Sequence, residues 1–157
     1  MKLTSSCCFE YERKVINMIK QLSVFIENKK GRLAKITGVL ADAGIDLIAL
    51  SIADTTNFGI MRGIVKDPDK AVNILKENGF TASLAEVFVV EVPDEPGGLS
   101  NVLQLLDEAD VSIEYLYSFV FAQNENALIL FRVEDIDGAV AKLKQNGVKL
   151  LTADDIY

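Results

Sequence analysis

Histidine and tryptophan are absent from this 157-residue chain, and its only two cysteines, Cys7 and Cys8, are adjacent. Without histidine, the commonest general base and the commonest metal ligand are both missing. Neighbouring cysteines suit neither a disulfide framework nor a spaced set of metal ligands. No Gly-x-Ser-x-Gly, Walker loop or dinucleotide fingerprint accompanies the carboxylates. The expectation is a binding protein with no catalytic residue, no metal and no cofactor. Runs of Lys or Arg are also lacking, and the formal net charge is −7. That balance argues against nucleic acid and anionic membrane as partners. No uninterrupted apolar segment is long enough to span a bilayer, and the opening "MKLTSSCCFEYERKVIN" lacks the apolar core of a secretory signal. A cytoplasmic location is expected.

What the chain does contain is written twice. "ENKKGRLAKITGVLADAGIDLIALSIAD" is echoed by "VPDEPGGLSNVLQLLDEADVSIEYLYSF", with Gly31 and Gly97 standing 66 positions apart. On that offset Leu33 falls on Leu99, Ile36 on Val102, Leu40 on Leu106, Ala43 on Ala109 and Ile45 on Val111. A period of this length points to two small domains.

Each copy reads as the same string of elements. In "IKQLSVFIE", Leu22, Val24 and Ile26 alternate with their neighbours as in a strand with one core face, and "VFVVEV" repeats the pattern. Leu33, Ile36, Leu40 and Ala43 recur every three or four residues, a helical stripe that Gly44 closes. "IDLIALSIAD" and "FGIMRGIVK" flank "TTN" as a hairpin, and "VSIEYLYSFVF" and "NALILFRV" flank "AQNE". "DPDKAVNILKENG" and "EDIDGAVAKLKQNG" read as second helices, each followed by a strand, "FTASLAEV" and "VKLLTA". The order βαββαβ predicts an α+β fold of two tandem ferredoxin-like units, each an antiparallel sheet with its helices on one face. Boundaries are expected at 19–86 and 87–157, after an unassigned extension of 1–18 in which Phe9 to Ile19 permits a short amphipathic helix. No spacer separates the copies, so a fixed mutual orientation is expected. Ile60, Met61, Ile64 and Val65, and likewise Leu128 to Phe131, offer apolar groups to both sheet faces. Burial on both faces by homodimerisation is the expectation.

The repeated loop, "ENKKGRL" and "PDEPGGL", is the candidate site. A glycine there lets a ligand approach the backbone, and the N–H groups of the first helical turn carry partial positive charge suited to a carboxylate. Three residues before each glycine stands Asn28 or Asp94, able to accept from an ammonium; fifteen after it stands Asp46 or Ser112, early in the second strand. An acid among aliphatic neighbours is costly to bury unpaired, and an ammonium would offset that cost. Together these groups suit a free α-amino acid. The same residues also serve as ordinary turn and cap residues, and both readings stand on residue types alone.

The whole unit, with Asn-x-x-Gly-x-Leu after the first strand and a polar residue fifteen positions past the glycine, resembles the ACT domain, a regulatory amino-acid-binding module of aspartate kinases and phosphoglycerate dehydrogenases. The likeness covers about residues 19 to 152 as two copies. The second keeps the family's loop as Asp94, Glu95, Pro96, Gly97, Gly98 and Leu99; the first has Asn28, Gly31, Arg32 and Leu33, with Lys30 where proline is usual. The resemblance implies an amino acid bridging neighbouring units, Asn28 facing Ser112 and Asp94 facing Asp46. It further implies a stand-alone sensor whose regulated enzyme lies in another chain. Rivals are a scaffold with empty sites, an acylphosphatase-like enzyme that the acidic loop disfavours, and an RNA-recognition pair with too few exposed aromatic residues.

Overall fold

The structure, a computed structural model, describes residues 18–54, 58–119 and 126–157. The hairpin turns Thr55-Thr56-Asn57 and Ala122-Gln123-Asn124-Glu125, the cysteine pair and the expected helix before Met18 lie outside the described residues.

The elements run β1 (Ile19–Glu27), α1 (Arg32–Asp42), β2 (Leu47–Asp54), β3 (Phe58–Val65), α2 (Pro68–Glu77), β4 (Thr81–Val92), α3 (Gly98–Glu108), β5 (Ile113–Phe119), β6 (Ala127–Val133), α4 (Ile136–Gln145), β7 (Lys149–Leu151) and α5 (Ala153–Ile156). They form two compact units, one spanning Lys20–Glu86 and the other Val87–Tyr157 with Met18 and Ile19. The expected last strand of the first copy and first strand of the second are one continuous strand, β4.

In the first unit the strands lie in the order β2, β3, β1, β4, with β3 antiparallel to both β1 and β2. The alternation read from the sequence sends Leu22, Val24 and Ile26 to one face. There they pack with Ile36 and Leu40 of α1, Ala71, Val72 and Leu75 of α2, and Met61 and Val65 of β3. In the second unit the order is β5, β6, β4, β7, with β6 antiparallel to β5 and β4, and β7 antiparallel to β4. Phe88 and Phe131 stack at 5.4 Å in its core, beside Val102 and Leu106 of α3 and Leu143 of α4. Both units are therefore ferredoxin-like, with helices on one face. Register repeats too: β2 carries an irregularity between Leu47 and Ala49, and β5 carries its counterpart between Ile113 and Tyr115.

Two expectations need correction. The tail "VKLLTA" is a strand only through Leu151, because Thr152 starts α5. Its hydroxyl donates to Asp155 Oδ2 at 2.8 Å, and its backbone N–H reaches the same atom at 2.7 Å. Asp155 thus holds both donors of Thr152 at the start of α5, where the strand ends. Of the residues expected to need covering by a second copy, only Ile60 stays exposed. Met61, Ile64, Val65 and Leu128 to Phe131 are all buried within the single chain. What stays exposed on the helix-free side of the first sheet is Ile60, opposite Phe25 in register, with Phe58 4.9 Å from the Phe25 ring.

Helices α2 and α4 begin on aspartates, Asp67 and Asp135. Their carboxylates accept from the backbone N–H of Lys70 at 3.1 Å and of Gly138 at 3.0 Å. Asp67→Ala and Asp135→Ala should each lower unfolding free energy by about 1 kcal/mol. Urea denaturation checks this, and an unchanged midpoint for either variant would contradict the capping role.

Candidate functional site

The two loops expected to bind ligand have one backbone geometry. After β1, Lys29 N–H donates to Glu27 O (2.7 Å), Arg32 N–H to Lys29 O (3.3 Å) and Lys35 N–H to Gly31 O (2.9 Å). After β4, Glu95 N–H donates to Pro93 O (2.9 Å), Gly98 N–H to Glu95 O (3.1 Å) and Asn101 N–H to Gly97 O (3.0 Å). Lys30 in place of Pro96 thus leaves the turn intact.

Each turn ends on a left-handed glycine, Gly31 at φ 82° and Gly97 at φ 95°. An L side chain there would be strained, which explains the repeated glycine. At Gly98 the need is steric: an added Cβ would run into the Pro93 carbonyl oxygen.

These glycines are the N-caps of α1 and α3, and a glycine has no side chain with which to cap. Neither helix has a side-chain cap or an acid in its first turn. Helices α2 and α4 have both: the Asp67 and Asp135 caps, with Asp69 and Asp137 in the first turn. Among the described residues, then, the starts of α2, α4 and the short α5 carry aspartate, whereas those of α1 and α3 have neither a side-chain cap nor a first-turn acid.

At the first loop lies a cavity of about 180 Å³, lined by Ile26, Glu27, Asn28, Lys29, Leu33, Ile52 and Gly59. Every lining residue belongs to the first unit. β1 ends here, so Ile26 and Glu27 reach it from below. Asn28 and Lys29 come from the loop after β1, and Leu33 from the first turn of α1. Ile52 pairs in register with the buried Met61, so it stands on the helix side of the sheet. Gly59, opposite Ile26, leaves space where a side chain would stand.

Glu27 is ionised by its neighbours. Lys29 Nζ lies 3.0 Å from Glu27 Oε2 and Arg32 Nη2 3.5 Å from the same oxygen. The hydrogen bond and charge of Lys29 hold the Glu27 carboxyl below its ordinary value of 4.5, with Arg32 adding to the effect. Arg32 also sits over the Phe80 ring at 5.4 Å. It is engaged there and does not line the cavity.

Of the expected site residues, Asn28 and Leu33 line the cavity, while Gly31 and Arg32 do not. Asp94, Pro96, Gly97, Gly98 and Leu99 form the matching loop of the second unit; Asp94 and Pro96 are exposed, Gly98 is buried, and Leu99 packs on that unit's core. Asp46 and Ser112 stand just ahead of β2 and β5, their carbonyls accepting from Lys66 and Glu134 N–H at 3.1 and 3.2 Å. Both are exposed. The expectation of a costly acid among aliphatic neighbours is not met for Asp46, because the residue precedes the strand and its carboxylate meets water. Nor does Asp46 meet Asn28 within the unit: six strand residues, roughly 20 Å, separate it from Ile52.

Sequence reasoning missed Ile26, Glu27, Lys29, Ile52 and Gly59. A glycine inside a predicted strand is itself a signal of close approach or open space, and Gly59 carried that signal.

The chain is thus a duplicated ferredoxin-like fold, each copy opening its first helix on an uncapped left-handed glycine. The family model described as "ACT domain pair" matches residues 17–156, and the chain belongs to that family. A solved protein, BT0572 from Bacteroides thetaiotaomicron, is 45% identical, with 90% of this chain and 97% of that one covered and a TM-score of 0.84. The regulatory subunit of aspartate kinase from Thermus thermophilus, in its ligand-free form, shares the fold at 20% identity, covering 83% of this chain and 93% of that one, with a TM-score of 0.58. Its counterpart from Thermus flavus does so at 19%, covering 83% and 92%, with a TM-score of 0.57. A probable translation initiation factor IF-2 from Methanobrevibacter smithii is 26% identical over 147 residues, 84% of this chain. The chain spans only 25% of that relative's length.

Among the described residues, no group of three or more His, Cys, Asp or Glu is placed to hold a metal ion, and no helix is long and apolar enough to cross a membrane.

Because the folded-state pKa of Glu27 is depressed, its pairing contributes above the unfolded-state value and is lost as pH falls through the lower folded one. NMR titration should place the Glu27 midpoint below 4.5, and Lys29→Met should raise it. A midpoint indifferent to that substitution would show that the pair does not form in solution.

Proposed function

We propose that this chain is a regulatory module that binds a free amino acid at the loop leading into α1 and transmits its occupancy to an enzyme. The observation that carries the proposal is the contrast between helix starts. α2 and α4 are capped and acidic, whereas α1 and α3 begin on glycine with their amides uncompensated. An N-terminus of the latter kind stabilises a carboxylate without any basic side chain. Beside it in the first unit, Asn28 lines the cavity, and an amide oxygen can accept from an ammonium. Carboxylate and ammonium are the two charged ends of an α-amino acid.

In the fuller form of the proposal the ligand is shared between neighbouring units, Asn28 with Ser112 and Asp94 with Asp46. A ligand that prefers one arrangement of the units shifts the population toward it, which is the regulatory output. The protein performs no chemistry in this reading and works in the cytoplasm. The competing reading, a scaffold whose sites are unused, draws on the exposure of Asp46.

Thermal unfolding against each of the twenty amino acids separates the two readings. At 100 times its Kd, a ligand bound only by the folded state adds about 2.7 kcal/mol and raises Tm measurably. No shift with any amino acid at millimolar concentration would favour the scaffold. Calorimetric titration of Asp46→Asn and Asp94→Asn tests the shared pairing, which unchanged affinity in both would remove.

Homodimerisation belongs to the same proposal. Phe25, Phe58 and Ile60 keep more than a third of their surface exposed on one sheet face, an apolar patch that a second copy would cover. Light scattering at micromolar concentration should return twice the chain mass; the mass of one chain would contradict the dimer.

A further inference from the structure

We infer that the first unit's cavity selects an amino acid with an aliphatic side chain, and that the second unit's loop has lost this selectivity. The inference rests on the proposed function and adds the ligand class to it.

Besides Glu27, Asn28 and Lys29, the cavity is lined by Ile26, Leu33, Ile52 and Gly59, with no polar side chain among these four. Ile52 is 46% exposed, although its register partner Met61 is fully buried. A large aliphatic side chain on the core side of a sheet, left uncovered beside an open space, is apolar surface that a ligand can remove from water. The volume of about 180 Å³ corresponds to roughly six waters at ~30 Å³ each, enough for a small molecule and below the size of drug-binding pockets.

The charges argue in the same direction. Glu27 and Lys29, the two ionic groups on the lining, are paired with each other at 3.0 Å. A ligand with an acidic or basic side chain would have to part that pair or set its own charge against Ile26, Leu33 and Ile52. Both are unfavourable. An aliphatic side chain demands neither.

The second copy shows what the cavity depends on. Repeated register places Val92 opposite Ala127, as Ile26 is opposite Gly59, and Ser118 opposite Ile129, as Ile52 is opposite Met61. Where the first unit has Ile52 and Gly59, the second therefore has Ser118 and Ala127. Glu27, Asn28 and Lys29 become Pro93, Asp94 and Glu95. One wall is polar, the glycine's space holds a methyl group, and the loop has no cation. The duplicated backbone has kept the carboxylate end of the site and changed the part that would choose a side chain.

Isothermal titration of the full chain with L-valine, L-leucine and L-isoleucine, against L-serine, L-aspartate and L-lysine, tests the assignment. At least one of the first three should bind about tenfold or more tighter than any of the others, at one per chain. Ile52→Ser should weaken that ligand by about tenfold or more while leaving the ligand-free Tm within a few degrees, since the side chain is half exposed. Should Ile52→Ser unfold, Ile52→Thr provides the same comparison. Tightest binding of serine, aspartate or lysine, or unchanged aliphatic affinity in the folded variant, overturns the ligand class while leaving the amino-acid sensor in place. Absence of binding by every amino acid removes both.

Discussion

A helix entered through a left-handed glycine cannot be capped by its own first residue, and that constraint organises both halves of this protein. Gly31 and Gly97 both hold a left-handed φ within the same pattern of loop hydrogen bonds, and among the described residues α1 and α3 have no side-chain cap and no first-turn acid. A fold seeking only stability would place aspartate there, as it does at Asp67 and Asp135. Within each βαββαβ unit the first helix is uncapped and the second is capped, so the difference follows position in the unit. It is not a matter of local composition.

Around this constant backbone the two copies have diverged where a ligand's variable part would lie. Strand order, the strand irregularities and the loop hydrogen bonds all repeat. The residues against the first cavity do not. Exchange of Ile52 for Ser118, of Gly59 for Ala127 and of a paired Glu27 and Lys29 for Pro93 and Glu95 alters packing and charge without disturbing the turn. Under the proposed function, the repeated backbone would keep a grip on what all amino acids share, and each copy would be free to select among side chains or to stop selecting.

Most of the fold was legible because its signals are periodic. The alternation of Leu22, Val24 and Ile26 and the stripe of Ile36 and Leu40 are imposed by a single buried face, and they place their residues in the first core. Where periodicity gave out, so did the reading. Thr152 and Asp155 make a four-residue helix through side-chain hydrogen bonds, and only the spacing of a hydroxyl and an acid three apart announces it. The loop of the candidate site was legible from its glycines, but the cavity was not. It depends on which strand residues lie opposite one another, and the register that sets Gly59 against Ile26 is a tertiary fact. Asp46 illustrates the same limit: its aliphatic neighbours in sequence suggested burial, yet the strand begins one residue later and the carboxylate is left in water.

The central claim is that the amides opening α1 receive a ligand's carboxylate, and amide-resolved NMR observes them directly. On titration with L-valine, L-leucine or L-isoleucine, the backbone N–H signals of Gly31, Arg32, Leu33 and Ala34 should shift together and saturate, along with those of Ile52 and Gly59. Those of Asp69 and Lys70, at the start of the aspartate-capped α2, should stay in place. If saturating concentrations of every amino acid leave the α1 amides unmoved, the helix start is not a binding site and the account fails.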